Sequence, residues 1–426
     1  MMGACPRLPP PHDPPPRPIM PTSPFAGLTI VCLASYFKGV DFLREAKRQG
    51  CHVILVVKEK LRDEAWPHES LDALVTVPNH ASPEMFVHAV SELARARRVD
   101  RVVALEEYDV MNAALVREHL RTPGMGTSTA RLFRDKLAMR VKASEAGIAV
   151  PAFVHTLNHD ELRGFMEAVP PPWVLKPRSD VSAVGIRKLH TPDLVWQAVA
   201  ALDARPAITE RSSYYLLERF VPGQVFHVDS LVQDGAVLFC GVNRYWRPPM
   251  EVAHHGGVFV TSTVERGSDD ERALVAMNTA LVKALGFVRG ATHAEFIKGQ
   301  DGTFHFLEIA ARVGGAFIAE VLEAATGVNL WREWAQIELA RDQHPYRLPP
   351  PRHDHAGIAL CLARQEWPDT SAYVDPEIVL RVPKRHHAGL IVCSPDYGRV
   401  QALLGGYIPR FTDDFLAVLP PLEKPE

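Results

Sequence analysis

The sequence predicts an α/β protein: an N-terminal doubly wound parallel domain, a two-lobed α+β region and a mixed C-terminal subdomain. Short apolar strands alternate with helical patterns over residues 25–125. Paired strand-like runs follow from Trp173 to Phe306, with one clear helix among them. A proline-rich break at 348–351 separates the last part, and 426 residues are enough for three such units.

The N-terminal pattern is that of a parallel sheet with crossover helices. Residues 1–24 precede it; they are rich in proline and lack the apolar core of a signal peptide, so we expect a disordered leader. No Gly-x-Gly-x-x-Gly follows the first strand, which disfavours a dinucleotide-binding domain. Glu106 and Glu107 end the strand that begins at Arg101. Ligands bind at such strand ends, but solvated acids are the commoner explanation. The predicted strands and helices here are 28–34, 40–49, 51–58, 75–78, 82–98 and 101–105.

Composition argues against several classes of partner. A net charge of -3 gives no electrostatic reason to expect binding to nucleic acid or to a membrane surface. No apolar run approaches the roughly twenty residues that span a bilayer. The six cysteines form no Cys-x-x-Cys pair, so a reducing, cytoplasmic setting fits best. The basic run at 95–98 is interpreted as the solvated end of a helix.

Two carboxylates carry the strongest chemical signal. Glu295 and Glu308 lie in strand-like runs joined by 298–302, a connector suited to a tight hairpin turn. In such a hairpin both acids can lie on one face, where they repel each other unless a cation lies between them. Mg²⁺ is bound by one or two carboxylates together with water and phosphate oxygens. The sequence therefore indicates a metal–nucleotide site, with two exposed surface acids as the alternative.

Two further strands carry polar residues suited to a nucleotide. Lys176 ends the strand that begins at Trp173 and is followed by a loop of small residues, where a lysine can hold an anionic oxygen. Glu218 lies in an apolar strand, Tyr215–Phe220, and needs a partner because an unpaired buried carboxylate is costly. Residues 243–251 are predicted to form a long loop, in which Arg244 could bind a substrate carboxylate.

In order and spacing, these segments resemble the ATP-grasp superfamily, in particular its carboxylate–amine ligases such as L-amino acid ligases. The resemblance spans about residues 125–335 and follows an N-terminal α/β domain that suits it. The matching segments are 134–136 with Met139, 147–151, 174–177, 218–223 with 227–229, 294–296, and 307–315 with 325–327.

The resemblance implies domain bounds of 25–125 for the preceding α/β domain, 126–345 for the ATP-grasp region and 346–426 for the C-terminal extension. It implies ATP and Mg²⁺ (or Mn²⁺) as cofactors, with Glu295 and Glu308 as metal ligands and Arg312 stabilising the acyl phosphate. The implied nucleotide-binding residues are Lys136, Lys176, Ser182, Gly185, Glu218, Arg219, Phe220, Val221 and His227.

The implied reaction is ATP-dependent formation of an amide or peptide bond through an acyl phosphate, on amino acids or small peptides. Another ATP-grasp reaction, such as carboxylation or carboxylate–thiol ligation, and a non-catalytic ATP-binding protein stay open. A homodimer is possible, since homodimers are common among the proteins this chain resembles. Two departures favour the non-catalytic alternative: Ala310 stands where the family often has a metal-side Asn, and Val225 stands where it commonly has a ribose-binding acid.

Overall fold

The computed structural model describes residues 24–180 and 185–418. The predicted leader therefore lies almost entirely outside the described residues. The strands are β1 (Thr29–Ala34), β2 (His52–Lys58), β3 (Ala73–Val77), β4 (Arg101–Ala104), β5 (Phe153–His155), β6 (Trp173–Pro177), β7 (Arg187–Leu189), β8 (Tyr215–Arg219), β9 (Gly223–Gln233), β10 (Ala236–Tyr245), β11 (Phe259–Thr263), β12 (Gly290–Gly299), β13 (Phe304–Ala310), β14 (His355–Leu362), β15 (Ile378–Arg381) and β16 (His387–Ser394).

The helices alternate with these strands in the N-terminal part and cover the sheets elsewhere. They are α1 (Val40–Arg48), α2 (Pro83–Ala96), α3 (Val110–Leu120), α4 (Thr127–Arg131), α5 (Lys136–Glu145), α6 (His159–Ala168), α7 (Pro192–Asp203), α8 (Pro249–His255), α9 (Asp269–Ala284), α10 (Ile318–Thr326), α11 (Leu330–Leu339) and α12 (Tyr397–Asp414). None of these helices is long and apolar enough to cross a membrane.

The N-terminal sheet is parallel, in the order β3-β2-β1-β4. Alternate residues of β1 face opposite sides, as strand geometry requires. Val31 and Leu33 pack with residues of α2 and α3, whereas Ile30 and Cys32 pack with residues of α1 and α11. Both faces are therefore covered, and the predicted doubly wound domain is confirmed. The strand order reverses between β1 and β4, the switch point at which open α/β sheets bind ligands.

A four-stranded antiparallel sheet, β5-β8-β6-β7, forms one lobe of the central region. Its core includes Trp173 and Leu217 from the sheet, Leu162 and Met166 from α6, and Val199 from α7. The other lobe is an eight-stranded sheet in the order β13-β12-β9-β10-β11-β14-β16-β15. The C-terminal strands thus extend this sheet through the pairing of β11 with β14.

One sequence prediction about local structure is wrong. Residues 243–251 do not form a long loop, because β10 continues through Tyr245 and α8 begins at Pro249. Residues 127–145 form two helices, α4 and α5, because the chain leaves the helix after Arg131 and Asp135 caps α5. The Asp135 side chain accepts hydrogen bonds from the backbone N–H groups of Leu137 and Ala138.

The start of β9 depends on a glycine. Gly223 pairs with Gly299 of β12, and a Cβ at this position would collide with the backbone carbonyl of Lys298. We expect Gly223→Ala to lower the free energy of unfolding by about 1–3 kcal/mol, measured by urea denaturation. Gly164→Ala is the matched control because Gly164 lies in α6 with open space around it. That variant should gain about 0.5–1 kcal/mol; equal effects of the two substitutions would contradict the argument.

Candidate active site

The two acids of the predicted hairpin lie directly opposite each other. Glu295 of β12 pairs with Glu308 of β13 in the antiparallel register, so both side chains lie on one face of the sheet. The predicted turn joins the strands: Gly299 N–H donates to the carbonyl of Thr303 at 2.8 Å. Strand β12 also pairs with β9 on its other side, where His227 lies opposite Glu295.

A lysine from another element balances the charge of Glu308. Lys136 begins α5, and its Nζ lies 2.8 Å from Glu308 Oε2 and donates to the carbonyl of Asp180 at 2.6 Å. Burial acts to raise the pKa of Glu308, but the positive charges of Lys136 and Lys176 outweigh it and hold the pKa well below its ordinary value. Glu308 is therefore a carboxylate at neutral pH, and the ammonium group of Lys136 lies beside it.

This donor set fits Mg²⁺. Two hard carboxylates face each other, and their side chains retain 17% and 36% exposure, which leaves oxygen atoms accessible from the cleft. The next pair in the register, His293 opposite Ala310, offers no third carboxylate or amide oxygen on β13. The remaining ligands of an ion here would have to be water and phosphate oxygens.

Glu295 is held from behind by a buried polar network. Tyr245 donates from its hydroxyl to Glu295 Oε1 at 2.9 Å, and His293 Nε2 lies 3.7 Å from the same oxygen. The other ring nitrogen of His293 lies 2.8 Å from Asp229. Burial acts to lower the pKa of His293, but Asp229 outweighs it and raises the pKa to about 9. The Asp229–His293 ion pair thus forms a rigid support for Glu295.

The structure corrects the prediction that His227 binds the nucleotide. Its ring is fully buried, with Nδ1 2.7 Å from Asp229 and Nε2 2.8 Å from Thr261. Both ring nitrogens are therefore occupied by protein partners. His227 belongs to the network behind Glu295, because the alternation of β9 directs it to the same face.

The buried carboxylate predicted to need a partner has two. Glu218 of β8 forms ion pairs with Lys176 of β6 and with Nε of Arg140, the latter at 2.6 Å. Burial acts to raise the pKa of Glu218, but the two cations outweigh it and keep the pKa below its ordinary value. Sequence reasoning missed Arg140, although it lies one helical turn after Lys136 on α5 and so shares its face. Two Arg140 nitrogens, Nη1 and Nη2, have no hydrogen-bond partner although they are buried.

The residues of the predicted adenine hinge follow Glu218. Arg219 ends β8 and is exposed, whereas Val221 is buried against Val225 and Ile297. The backbone N–H of Phe220 donates to the carbonyl of Pro172, and its ring lies under Lys188 Nζ at 3.7 Å.

The loop after β6 is anchored at the start of α5. Arg134 donates to the carbonyl of Ser179 at 2.8 Å, beside the bond from Lys136 to Asp180. Gly185, at the far end, adopts a left-handed conformation with φ 71° that favours glycine. Ser182 lies outside the described residues.

Glu107 joins the N-terminal domain to this site. One carboxylate oxygen pairs with Arg134, and the other accepts from Nε of Arg312 at 3.1 Å. All three side chains are largely buried. Arg312 thus lies between Glu107 and the end of β13, which brings the carboxyl edge of the parallel sheet to the paired acids.

Glu106, which precedes Glu107, is buried, whereas the sequence analysis favoured a solvated acid. Glu106 is 2% exposed, and its Oε1 has no hydrogen-bond partner. The hydroxyl of Tyr108 also lacks one, and the ring of Tyr108 packs against Tyr36 with centroids 5.4 Å apart. Burial lowers the pKa of Lys38, which lies close enough for its charge to stabilise ionised Glu106. Unpartnered polar atoms thus accumulate at the β1/β4 switch point.

Arg244 does not lie in this cleft. It pairs with Phe226 in the register, on the face opposite Glu295 and His227, and donates to Gln401 of α12 at 3.3 Å. The prediction that it binds a substrate carboxylate is therefore wrong. The error follows from the loop prediction, since strand alternation fixes the direction of a side chain on β10.

Comparison with known proteins agrees with this fold. Residues 169–320 match the family model described as an ATP-grasp domain. The crystal structure of an L-amino acid ligase from Bacillus licheniformis superposes with a TM-score of 0.72 at 19% identity, covering 92% of this chain and 98% of that one. An ADP complex of N5-carboxyaminoimidazole synthetase from Staphylococcus aureus gives a TM-score of 0.70 at 13% identity over 91% and 98% of the two chains.

Two curated relatives from Bacillus subtilis are also similar to the chain. It is 23% identical to an L-arginine-specific L-amino acid ligase over 252 residues, 59% of this chain and 60% of the relative. It is 21% identical to an alanine–anticapsin ligase over 289 residues, 62% of this chain and 57% of the relative. The chain thus matches about three fifths of the length of these relatives.

The buried carboxyl of Glu106 predicts a pH dependence of stability. Burial and the nearby Asp109 raise its pKa from 4.5 to about 8. The folded protein then binds more protons than the unfolded chain between these values, so stability falls as pH rises through this range. Glu106→Gln removes the ionisation. We expect its melting temperature to exceed that of the wild type at pH 8, by a margin that shrinks towards pH 5.

Glu107→Gln is the control for this measurement. It loses both ion pairs, so we expect a lower melting temperature at either pH. A gain for Glu106→Gln of the same size at pH 5 and pH 8 would contradict the assignment.

Proposed function

We propose that the chain is an ATP-dependent carboxylate–amine ligase that forms amide or peptide bonds on amino acids or small peptides. The observation that carries the proposal is the convergence of Glu295, Glu308, Lys136 and Arg312 beside the switch point of the N-terminal sheet. The ATP-grasp match and the ligases among the relatives support it.

In the proposed nucleotide site, Lys136 and Lys176 bind phosphate oxygens, and residues 218–221 hold the adenine. Glu295 and Glu308 would hold Mg²⁺ (or Mn²⁺), which when bound would supply positive charge to the phosphates. The unpartnered nitrogens of Arg140 beside Glu218 offer hydrogen-bond donors in the same lobe. Lys136 leaves Glu308 and Lys176 leaves Glu218 as phosphate oxygens replace the carboxylates. We therefore expect anionic ligand atoms to bind at Lys136 and Lys176.

The proposed reaction has two displacements. An oxygen of the substrate carboxylate bonds to the γ-phosphorus while the bond to ADP breaks, giving an acyl phosphate. The amine nitrogen then bonds to the acyl carbon, the bond to phosphate breaks, and the amine gives up a proton. Negative charge develops on the acyl oxygen, and the fixed guanidinium of Arg312 is placed to stabilise it.

We infer that the substrates bind between Arg312 and the switch point. Glu106 Oε1 and the Tyr108 hydroxyl have no partner there, so an ammonium group can donate to the first and a polar group can bond with the second. Lys38 adds a positive charge for a substrate carboxylate. An acceptor oxygen for an ammonium group beside a cation for a carboxylate suits a zwitterionic amino acid, in agreement with the amino acid ligases among the relatives.

The proposal places the enzyme in a reducing cytoplasmic compartment, since the cysteines within the described residues are free thiols. We expect its partners to be small-molecule substrates rather than nucleic acid or a membrane. A homodimer is compatible with this proposal. Similarity to carboxylating enzymes of the same fold keeps another ATP-grasp reaction as the second candidate.

The first experiment measures ADP release with ATP and Mg²⁺ against amino acids supplied singly and in pairs. We expect release that requires two particular amino acids and a product mass equal to their sum less water. Release that requires bicarbonate or a thiol instead would indicate the second candidate. Stabilisation by ATP with no ADP formed from any acceptor would favour a non-catalytic binder.

A matched pair of variants tests the metal site. Glu308→Gln removes one carboxylate charge, and we expect ADP formation to fall at least about a hundredfold, comparable to losing one strong electrostatic contact in the transition state. Asp301→Asn alters an exposed acid in the same hairpin turn and should leave the rate unchanged. Full ATP turnover by Glu308→Gln would overturn the metal assignment.

A further inference from the structure

A second cavity lies at the opposite edge of the N-terminal sheet from the active site. It has a volume of about 970 Å³ and is bounded by residues 24–29, the end of α2 and the start of β4, residues 120–123, and Arg341. Its size is at the upper end of the range found for small-molecule sites. Arg101 at the beginning of β4 belongs to this cavity, whereas Glu106 and Glu107 beyond the end of β4 belong to the active site.

The cavity is strongly cationic. Its lining contains Arg97, Arg98, Arg101, Arg121 and Arg341 against a single carboxylate, Asp100. The chain as a whole carries a net charge of -3, so this concentration of positive charge departs from the rest of the surface. Asp100 is already engaged, because it accepts from the backbone N–H of Thr29 at 3.0 Å and lies 3.3 Å from Arg98 Nε.

Unpartnered polar groups meet at the same place. Thr29 lines the cavity, is 1% exposed, and its Oγ1 has no hydrogen-bond partner. Thr122 also lines the cavity, and its buried Oγ1 likewise has no hydrogen-bond partner. Buried polar groups are normally hydrogen-bonded, so two unpartnered hydroxyls beside a cluster of arginines indicate a missing anionic acceptor.

We propose that this cavity binds a small molecule bearing phosphate. Guanidinium groups form paired hydrogen bonds to phosphate oxygens, and threonine hydroxyls donate to the same atoms. The five guanidinium charges exceed the single negative charge of Asp100, which favours a doubly charged phosphate or a pyrophosphate as the ligand. The site is independent of the ligase reaction: strands β1 and β4 separate it from Arg312 and Glu107.

Pyrophosphate is the first probe, titrated calorimetrically into the full chain, with inorganic phosphate and ADP as further arms. Thr29→Val keeps the side-chain shape and removes an unpartnered hydroxyl, so folding should be unharmed. We expect it to weaken binding about tenfold, the loss of one hydrogen bond to a charged group. The double variant Arg98→Glu/Arg121→Glu should abolish binding in the same titration.

Arg95→Glu is the matched control. Arg95 lies on α2 outside the cavity, and its side chain is 77% exposed, close to the 89% of Arg98. It should bind pyrophosphate like the wild type. Binding retained by both Thr29→Val and the double variant would place the anion in the active site and overturn the proposal. The same loss in all variants, Arg95→Glu included, would reduce it to general charge attraction. An ADP response that the double variant Arg98→Glu/Arg121→Glu lowers would identify a nucleotide as the ligand of this cavity, because ADP bound in the proposed active site should not respond to that variant.

Discussion

The antiparallel register of β9, β12 and β13 is the constraint on which the site depends. It places Glu295 opposite Glu308 and His227 beside them on one face, while Phe226, Phe296 and Phe306 pack on the other. A slip of one residue would exchange the two sets and bury the acids in the apolar core. The core therefore fixes the register, and the register fixes the site. The apolar contacts that stabilise this sheet therefore also hold Glu295 and Glu308 opposite each other.

Charge balance is the second constraint. Within the described site, Lys136 pairs with Glu308, Lys176 and Arg140 with Glu218, and Arg134 and Arg312 with Glu107. Separating a buried pair costs several kcal/mol unless new partners replace the old ones. Phosphate oxygens and a metal ion would be such partners, since they supply both signs of charge at once. The ion pairs thus keep the unliganded cleft stable and select ligands that can exchange with them.

Much of this could be predicted from the sequence because the signals are local. The 298–302 turn joins two apolar runs, so the placement of Glu295 against Glu308 follows from hairpin geometry. Lys176 at a strand end and the need of Glu218 for a partner follow in the same way. Arg244 and His227 were misjudged because their roles depend on which face of a long strand they occupy. That choice is set by pairing with β9, β11 and β12, which sequence spacing does not encode.

The partners of Glu107 were out of reach for a related reason. Arg134 and Arg312 are separated from it by 27 and 205 residues, so only the assembled fold brings them together. Their arrangement has a consequence for the N-terminal domain. Because both oxygens of one N-terminal carboxylate bind arginines of the central region, this domain positions Arg312. If it moved away, two arginines would be left partly buried and unpaired. The small parallel sheet is therefore a structural component of the active site.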